Sequence, residues 1–378
     1  MIDLLFFSDS LKRHRKAAGL TQTELARRLS VTPQSVSRWE RGEAIPDIEH
    51  LAELARILHA SLDALVLNRI PGIRGIIGID AGGTKTEFVL TDLSGTVLNR
   101  AVLEKANPNA GGIENTVRIA RQGIRLLRPE GVELLGIYFG GAGMTTGNYA
   151  EVLTADLRRV CPAARVFCSS DAMNVVACAP DPENCIAVIS GTGSVVYLSS
   201  EGRLKRFGGG GYFFDGAGAG FEIGRDAVSA VLKADDGVGE PTLLTEFITA
   251  ELGGPLWDHI HELYAQGISR VAAFAPLVSR AAEAGDPVAL GILRRSADYL
   301  AGLIGAASRR APRVTDLLLC GSILRKDALM RGMLTEKLPA HLTVILPEVP
   351  PVFGAVLACA RLLNLPELPK QENFLRSY

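Results

Sequence analysis

Apolar and polar positions divide the chain into a short helical segment and a longer segment that alternates between strands and helices. Near the start, Leu51, Leu54, Ala55 and Leu58 recur at helical spacing and predict one buried stripe. From about residue 75, short apolar runs bounded by glycine-rich turns predict strands. The pattern predicts an all-α domain at 8–68, a linker at 69–74 and an α/β domain at 75–365.

Helix-capping signals predict five short helices in the first domain. Thr21 and Glu24 have the spacing of a capping box, and Thr32 followed by Pro33 joins a preferred N-cap to a preferred first helical residue. The predicted starts are Ser8-Asp9-Ser10, Thr21, Thr32, Ile45-Pro46-Asp47 and Ser61.

The third of these helices carries a polar outer face. If Leu25, Val36 and Trp39 share a small core, helices two and three are held at a fixed angle. Short polar side chains and one arginine then remain outside, and such groups suit a helix that lies in the major groove. The predicted DNA contacts are Gln22, Thr32, Gln34, Ser35, Ser37 and Arg38, with further positive charge from the run Lys12-Arg13-His14-Arg15-Lys16.

Residues 20–58, LTQTELARRLSVTPQSVSRWERGEAIPDIEHLAELARIL, closely resemble helix-turn-helix domains of the Cro/C1 (Xre) type. The resemblance extends over the five-helix module and implies operator DNA as a partner. Because one such module makes few base contacts, we expect a homodimer on a symmetric operator. The alternative is a helical module for protein contacts without a role in DNA binding.

Glycine-rich turns interrupt the strands of the second domain. Residues 76–79 and 88–91 predict a hairpin around Asp80-Ala81-Gly82-Gly83-Thr84-Lys85-Thr86, and residues 186–198 repeat this design. A further strand runs into Gly321, and Pro351 opens the last predicted helix. Such turns offer backbone N–H groups to phosphate, and a neighbouring carboxylate suits hydrated Mg²⁺. A plain tight hairpin explains the first turn equally well, but the set predicts two similar α/β halves around a cleft.

These motifs, in this order, resemble the actin/hexokinase-like ATPases, and specifically the BadF/BadG family that contains N-acetylglucosamine kinase. The ordered set is GIDAGGTKTEFVLTD, ANPN at 106–109, SSDAMNVVACA at 169–179, VISGTGSVVYL, the glycine run at 208–224, LLLCGSI and PPVFGAVLA. The resemblance implies a two-lobed, ribonuclease H-like α/β domain. Lobe I would comprise about 75–184 plus 353–365, and lobe II about 185–352.

The resemblance also implies roles for individual residues. Asp171 matches the carboxylate that acts as base on the sugar hydroxyl, and Asn107 matches an asparagine that hydrogen-bonds the sugar. Asp80 would hold Mg²⁺, and its turn would contact the phosphates of ATP. The implied nucleotide contacts are Gly82, Gly83, Thr84 and Lys85 in that turn, Gly191, Thr192, Gly193 and Ser194 in the second turn, and Gly321 and Ser322 against the adenosine. Asp171 also opens a helical stretch, so a helix N-cap is the structural alternative for it.

One segment departs from the kinase pattern. Kinases of this family carry a segment like GGWG followed by GDEGSGxWIG, whereas this chain has GGGGYFFDGAGAGFEIG at 208–224. Gly216 and Ala217 stand at the Asp-Glu positions, Ala219 replaces the serine and Glu222 replaces an aromatic residue. Asp215 lies one place early and is the candidate sugar contact in this segment.

Composition narrows the class of protein. A net charge of −1 argues against a surface that binds nucleic acid throughout, although it leaves room for one basic face. No segment reaches the roughly 18 consecutive apolar residues of a membrane span, and the first residues lack the pattern of a signal peptide. The six cysteines have neither zinc spacing nor an arrangement for a shared iron–sulfur cluster. We therefore expect a cytoplasmic protein with reduced thiols.

Two functions follow from these observations. In the first, the chain is a DNA-binding transcriptional regulator whose kinase-like domain binds a sugar, a sugar phosphate or ATP as effector. In the second, it is an ATP-dependent kinase for N-acetylglucosamine or glucosamine with an attached DNA-binding module. The altered segment at 208–224 favours the first, and the intact Asp80, Asp171 and second turn favour the second.

Overall fold

A computed structural model describes residues 4–60, 62–66, 73–127, 132–215 and 217–378. The chain folds into two compact units. Unit 1 comprises Met1–Cys178 and Val349–Tyr378, and unit 2 comprises Ala179–Glu348. Residues 69–72 of the predicted linker at 69–74 lie outside the described residues, and so does Gly216. Among the helices described, none is both long and apolar enough to cross a membrane.

Five helices form the N-terminal part of unit 1, here called the helical module. They are α1 (Leu4–Ala17), α2 (Gln22–Arg28), α3 (Pro33–Glu40), α4 (Ile48–Ile57) and α5 (Leu62–Val66). The predicted capping box is present, because the Thr21 side chain accepts from Glu24 N and the Glu24 carboxylate accepts from Thr21 N at 2.7 Å. Thr32 caps α3 and Asp47 caps α4, as the sequence predicts.

The first helix starts earlier than predicted. Ser8-Asp9-Ser10 lies inside α1, which already begins at Leu4. Ser8 is buried, and its hydroxyl donates to the Leu5 carbonyl at 2.9 Å. That bond satisfies the hydroxyl within the helix, so the serine does not act as a cap.

A small apolar core holds the helical module together. Its buried members come from all five helices and the turns between them: Phe7, Leu11, Leu20, Leu25, Ala26, Leu29, Val36, Trp39, Leu51, Leu54, Leu58 and Leu65. Both α2 and α3 contribute, which fixes the angle between them as predicted.

The rest of the chain alternates strands and helices. The elements are β1 (Ile73–Ala81), β2 (Lys85–Asp92), β3 (Val97–Glu104), α6 (Pro108–Leu127), β4 (Val132–Gly141), α7 (Tyr149–Val160), β5 (Arg165–Ser169), α8 (Ala172–Val176), β6 (Cys185–Ser190), β7 (Ser194–Ser200), β8 (Arg203–Phe207), α9 (Gly220–Asp235), α10 (Leu244–Leu252), α11 (Leu256–Gln266), α12 (Ile268–Ala272), α13 (Ala275–Glu283), α14 (Pro287–Arg310), β9 (Asp316–Cys320), α15 (Ser322–Lys326), α16 (Ala328–Thr335), β10 (Thr343–Ile345), α17 (Pro351–Leu362) and α18 (Gln371–Ser377).

Each unit is built on one five-stranded sheet, and the two sheets have equivalent strand orders. The order is β3-β2-β1-β4-β5 in unit 1 and, taken from the corresponding edge, β8-β7-β6-β9-β10 in unit 2. In unit 1 the first three strands pair antiparallel, and β4 and β5 add in parallel. In unit 2 the same holds for β6 to β8, with β9 and β10 added in parallel. The predicted pair of similar α/β halves, each with a hairpin turn between its first two strands, is confirmed.

In unit 1, apolar layers cover both faces of the sheet. Ile77 and Ile79 of β1 pack in one buried cluster with residues of α6 and α7, while Ile76 packs in another with residues of α17. The prediction that the helix opening at Pro351 is the last one was wrong. The chain continues into α18, whose Phe374 is buried against Phe353 with ring centroids 4.6 Å apart.

Candidate functional site

The end of β1 delivers Asp80 to the start of the first glycine-rich turn. The turn is closed by a hydrogen bond from Gly82 N to Lys85 O at 3.0 Å, and residues 83–85 are exposed. Burial raises the pKa of Asp80 to about 6, and the neighbouring charge of Asp171 acts in the same direction. Unit 1 therefore places a largely desolvated carboxylate beside an exposed turn, as a site for a metal-bound phosphate requires.

Asn174 holds Asp80 in place, and the sequence interpretation missed it. Its Nδ2 donates to Asp80 Oδ1 at 2.6 Å and to the Gly140 carbonyl at 3.3 Å, and the side chain is fully buried. A Cβ on Gly140 would lie 2.0 Å from Asn174 Oδ1, so only glycine fits there. The available signal was the position of Asn174 on α8, three residues after Asp171, which places both on one side of the helix.

Asp171 lies at the N-terminus of α8. Its Oδ1 accepts from Ala172 N at 3.0 Å and from the Ser170 hydroxyl at 3.1 Å. Burial raises its pKa, and these hydrogen bonds lower it in part. The predicted N-cap role is thus present, and a carboxyl group with a raised pKa is also suited to proton transfer.

Asn107 lies at the start of α6, beside the turn that follows β4. Its Oδ1 accepts from Asn109 N at 2.9 Å, and its carbonyl accepts from Gly111 N at 3.0 Å. Gly143 approaches so closely that an added Cβ would lie 2.7 Å from Asn107 Oδ1, and its φ is +81°. The Asn107 amide is therefore anchored through its oxygen and can present its NH₂ group to a ligand.

The side chain of Lys85 pairs with a residue of β2, the strand that follows the turn. Its Nζ donates to Glu87 Oε2 at 3.1 Å. Glu87 is buried and also pairs with Arg100, at 2.7 Å, and with the hydroxyl of Tyr378 in the C-terminal segment. Tyr378 thus belongs to the support of the first turn, which the sequence pattern did not indicate.

In unit 2 the second turn is held against the start of α9. The Gly191 and Thr192 carbonyls accept from Gly220 N at 2.7 Å and Phe221 N at 3.2 Å. The Ser194 hydroxyl donates to the Ala217 carbonyl at 2.7 Å. These bonds fix the turn but also occupy the serine hydroxyl predicted to contact phosphate.

The turn after β9 lies next to the second turn of the same unit. Gly321 has φ +90°, and an added Cβ would lie 2.1 Å from Ser190 O. A Cβ on Gly191 would lie 3.9 Å from Ser322 Oγ. The structure therefore brings together the residues from 191 to 194 with Gly321 and Ser322.

Asp215 is held by its own segment. Its Oδ2 accepts from Gly210 N at 3.1 Å, and its Oδ1 accepts from the Tyr299 hydroxyl. The preceding aromatic residues are exposed, with Phe213 at 77% and Phe214 at 92%. The carboxylate predicted to contact sugar thus has two structural partners within its own unit.

Glu222 is a second buried carboxyl group in unit 2. It lies in the first turn of α9, is 4% exposed, and its Oε2 has no hydrogen-bond partner among the described residues. Burial raises its pKa to about 7. Glu222 is therefore a desolvated acid close to the second turn.

The predicted DNA contacts lie on and around α3. Gln34 and Arg38 are exposed, Ser35 and Ser37 are half-buried, and the Thr32 hydroxyl accepts from Ser35 N at 3.2 Å. The polar N-terminal half of α3 is thus accessible, as base recognition in a major groove requires.

Two residues near this face have internal partners. Gln22 Nε2 donates to Glu40 Oε2 at 2.8 Å. Arg15, counted in the predicted basic run, is buried, and its Nε donates to Glu40 Oε1 at 2.6 Å. Arg15 therefore stabilises the module and does not contribute to a basic surface, a distinction that a run of like charges does not reveal.

The described residues contain no group of three or more His, Cys, Asp or Glu side chains that could hold a metal ion. None of the six cysteines forms a disulfide bond. The hydrogen bond from Asn174 Nδ2 falls on Asp80 Oδ1, and a carboxylate beside an exposed glycine-rich turn fits Mg²⁺ that is otherwise held by water and phosphate.

Comparison with known proteins divides the chain in the same way. A model of the BadF/BadG/BcrA/BcrD ATPase family matches residues 77–359, and a helix-turn-helix model matches residues 11–65. The N-acetylmuramic acid/N-acetylglucosamine kinase of Clostridium acetobutylicum is 31% identical over 235 residues, which are 60% of this chain and 76% of that protein. The uncharacterized HTH-type transcriptional regulator YqaE of Bacillus subtilis is 38% identical over 60 residues, which are 16% of this chain and 52% of that protein.

A solved structure from Chromobacterium violaceum, provisionally named an N-acetylglucosamine kinase, has the same fold. It matches with a TM-score of 0.59 at 24% identity, covering 76% of this chain and 99% of that chain. The predicted fold class, a helix-turn-helix domain joined to an actin/hexokinase-like α/β domain, is confirmed.

Proposed function

The chain belongs to the BadF/BadG/BcrA/BcrD ATPase family through residues 77–359, and from that premise we propose that it is a DNA-binding transcriptional regulator whose ATPase-type domain binds a sugar, a sugar phosphate or ATP as effector. The observation that carries the proposal is the fusion, in one chain, of a helix-turn-helix domain with a sugar-kinase-like domain. The resemblance to the family's kinases implies in addition that the segment at 208–224 differs from their pattern.

The DNA-binding role is supported by the face of α3. Gln34 and Arg38 are exposed at the helix, and an amide and a guanidinium are side chains suited to adenine and guanine edges. A homodimer on a symmetric operator is part of the proposal, because one module of this size makes few base contacts. We place the protein in the cytoplasm, where its operator would be.

The effector role is supported by the structure of the segment at 208–224, which carries the candidate sugar contact Asp215. Each oxygen of Asp215 already accepts one hydrogen bond, from Gly210 N and from the Tyr299 hydroxyl, so these partners and not a sugar set the orientation of its carboxylate. A site that loses such a partner for a hydroxyl group loses discrimination by orders of magnitude. Binding with weakened catalysis is the expected consequence.

The other candidate residues of the ATPase-type domain each have a role in this proposal. Asp80 would hold Mg²⁺, which neutralises phosphate charge when ATP is bound. In unit 1, residues 82–85 would contact phosphate. In unit 2, residues 191–194 would contact phosphate, and Gly321 and Ser322 would contact adenosine. Asn107 would donate a hydrogen bond from its amide to the sugar, and Asp171 would accept a hydrogen bond from a sugar hydroxyl.

A working sugar kinase is the second candidate function, and the half-buried Asp171 favours it. Its raised pKa and its support by Ser170 and Ala172 are the features of a group prepared to accept a proton. In this alternative, the chain would phosphorylate N-acetylglucosamine or glucosamine and use its DNA-binding module for regulation.

The two functions are separated by ATP consumption with a panel of amino sugars and hexoses, measured on the wild type and on Asp171→Asn. An effector-binding domain is expected to give thermal stabilisation by a sugar or by Mg-ATP without turnover. Turnover that disappears in Asp171→Asn would establish the kinase instead. Absence of both turnover and stabilisation would refute a ligand site in the ATPase-type domain.

A further inference from the structure

The helix α1 belongs to two cores at once. Phe7 and Leu11 are buried in the core of the helical module. Leu4 and Leu5, one turn earlier, are buried in the cluster that includes Ile119 and Ile124 of α6. The module is therefore packed against the sheet domain of unit 1 through its first helix, rather than joined to it by a linker alone.

A polar contact at the end of α6 adds to this packing. Arg125, in the last turn of α6, donates from Nη2 to the carbonyl of Arg41 at 2.8 Å and to the hydroxyl of Ser8 at 3.2 Å. Arg41 is the C-cap of α3, so the guanidinium satisfies a carbonyl at the end of the predicted recognition helix. A cation at a helix C-terminus also interacts favourably with the helix dipole.

Gly42, which follows this cap, fits the same contact. Its φ is +70°, and an added Cβ would lie 3.2 Å from Arg125 Nη2 and 3.4 Å from the Leu4 carbonyl. The glycine therefore ends α3 and allows α6 to approach it.

The other end of α6 begins at the proposed sugar contact. The carbonyl of Asn107 accepts from Ala110 N and Gly111 N in the first turn. Gly112 then interrupts the helix with φ 79° and ψ 160°. From there to Arg125 the helix spans roughly 20 Å at 1.5 Å per residue. One element thus connects the Asn107 turn, across a local break, with the end of α3.

We propose that Arg125 is a positioning residue for DNA recognition: it fixes the orientation of α3 on the sheet domain, and α6 transmits a change at Asn107 to that orientation. The proposal rests on the proposed function, because it assumes that ligand is bound at Asn107 and that α3 binds DNA. Gln34 and Arg38 remain exposed in the docked arrangement. Docking therefore orients the recognition helix and does not cover it.

The docking itself is tested by hydrogen–deuterium exchange on the full chain, without ligand or DNA. In Arg125→Ala we expect exchange in α1 and at residues 41–47 to rise about tenfold, with α2 unchanged and Arg125→Lys intermediate. Arg118→Ala is the matched control, since Arg118 is an exposed arginine of the same helix that pairs with Glu104. Unchanged exchange in Arg125→Ala would overturn the proposal. An equal rise throughout the helical module would do so too, because Arg125 would then only stabilise its fold.

The coupling is tested with DNA selected from a random pool by the wild type. Its affinity is measured with and without N-acetylglucosamine plus Mg-ATP, while thermal shift reports ligand binding separately. We expect Arg125→Ala to bind ligand like the wild type but to lose most of the ligand-dependent change in DNA affinity, and Arg118→Ala to keep it. A full ligand response in Arg125→Ala would overturn the inference and leave the proposed function standing. No thermal shift in the wild type would count against the proposed function, while the exchange data would still decide the docking.

Discussion

Replacing Glu222 by Gln should make unit 2 more stable at neutral pH, and the effect should disappear in acid. The pKa of this carboxyl is raised by burial from 4.5 to about 7, and one oxygen has no hydrogen-bond partner among the described residues. Below pH 4.5 the group is protonated in both the folded and the unfolded chain, so it has no effect on the pH dependence there. Between pH 4.5 and 7 the folded chain holds a proton that the unfolded chain has lost, so the free energy of unfolding falls as the pH rises.

The size of this fall follows from the two pKa values. A pKa difference of one corresponds to about 1.4 kcal/mol, so ionised Glu222 costs the folded state about 3 kcal/mol above pH 7. Glutamine has the same shape and carries no charge, and the variant should therefore lack the fall. Against the wild type it should gain up to about 3 kcal/mol at pH 8 and little at pH 4.

Urea unfolding at a series of pH values measures the difference. Trp257 reports on unit 2, and Trp39→Phe in all proteins removes the signal of the helical module, since the chain has two tryptophans. Glu246→Gln, an exposed carboxyl in α10 of the same unit, is the control and should follow the wild-type profile. If Glu222→Gln and the wild type had parallel profiles from pH 4 to 8, the argument that Glu222 is a desolvated acid would be refuted.

Two further substitutions test the support of Asp80. Asn174→Ala removes the 2.6 Å hydrogen bond to Asp80, and because bonds to charged groups contribute about 1.5–3 kcal/mol, Mg-ATP should bind at least tenfold more weakly by calorimetry. Unchanged affinity would contradict the claim that Asn174 holds Asp80 in place for that site. In Gly354→Ala the new Cβ would lie 1.6 Å from Asn174 O, so the melting temperature should fall by several degrees through a loss of about 1–3 kcal/mol. Gly332→Ala is its control, because nothing lies within 4 Å of a Cβ in the helix there, and it should be neutral or stabilising. Equal effects of the two alanines would contradict the packing argument.

The sequence predicted those parts of the fold that local chemistry decides. The capping box at Thr21, the cap at Thr32 and the two hairpin turns each depend on residues a few positions apart, and the structure has all of them. The duplicated strand order could be predicted for the same reason, because both halves contain a hairpin with a glycine-rich turn.

What the sequence could not predict depends on partners distant along the chain. Asp215 is held by Tyr299, and Glu87 by Tyr378, contacts that leave no local pattern. Arg15 looks like one of several basic residues, yet it is buried against Glu40. The contact between Arg125 and the end of α3 joins two domains that were predicted separately. Residue types and spacing identify candidates, while burial decides which of them remain available.

The central claim is that ligand binding in the ATPase-type domain changes the affinity of the helical module for DNA. The most direct test is the binding of selected operator DNA to the full-length protein, titrated with and without N-acetylglucosamine and Mg-ATP at fixed salt, since protein–DNA affinity depends on salt. A coupling free energy of 1–3 kcal/mol predicts a change in DNA affinity of about 5- to 150-fold, and DNA should change the ligand affinity by the same factor. Identical affinities and footprints with and without each ligand would contradict the account.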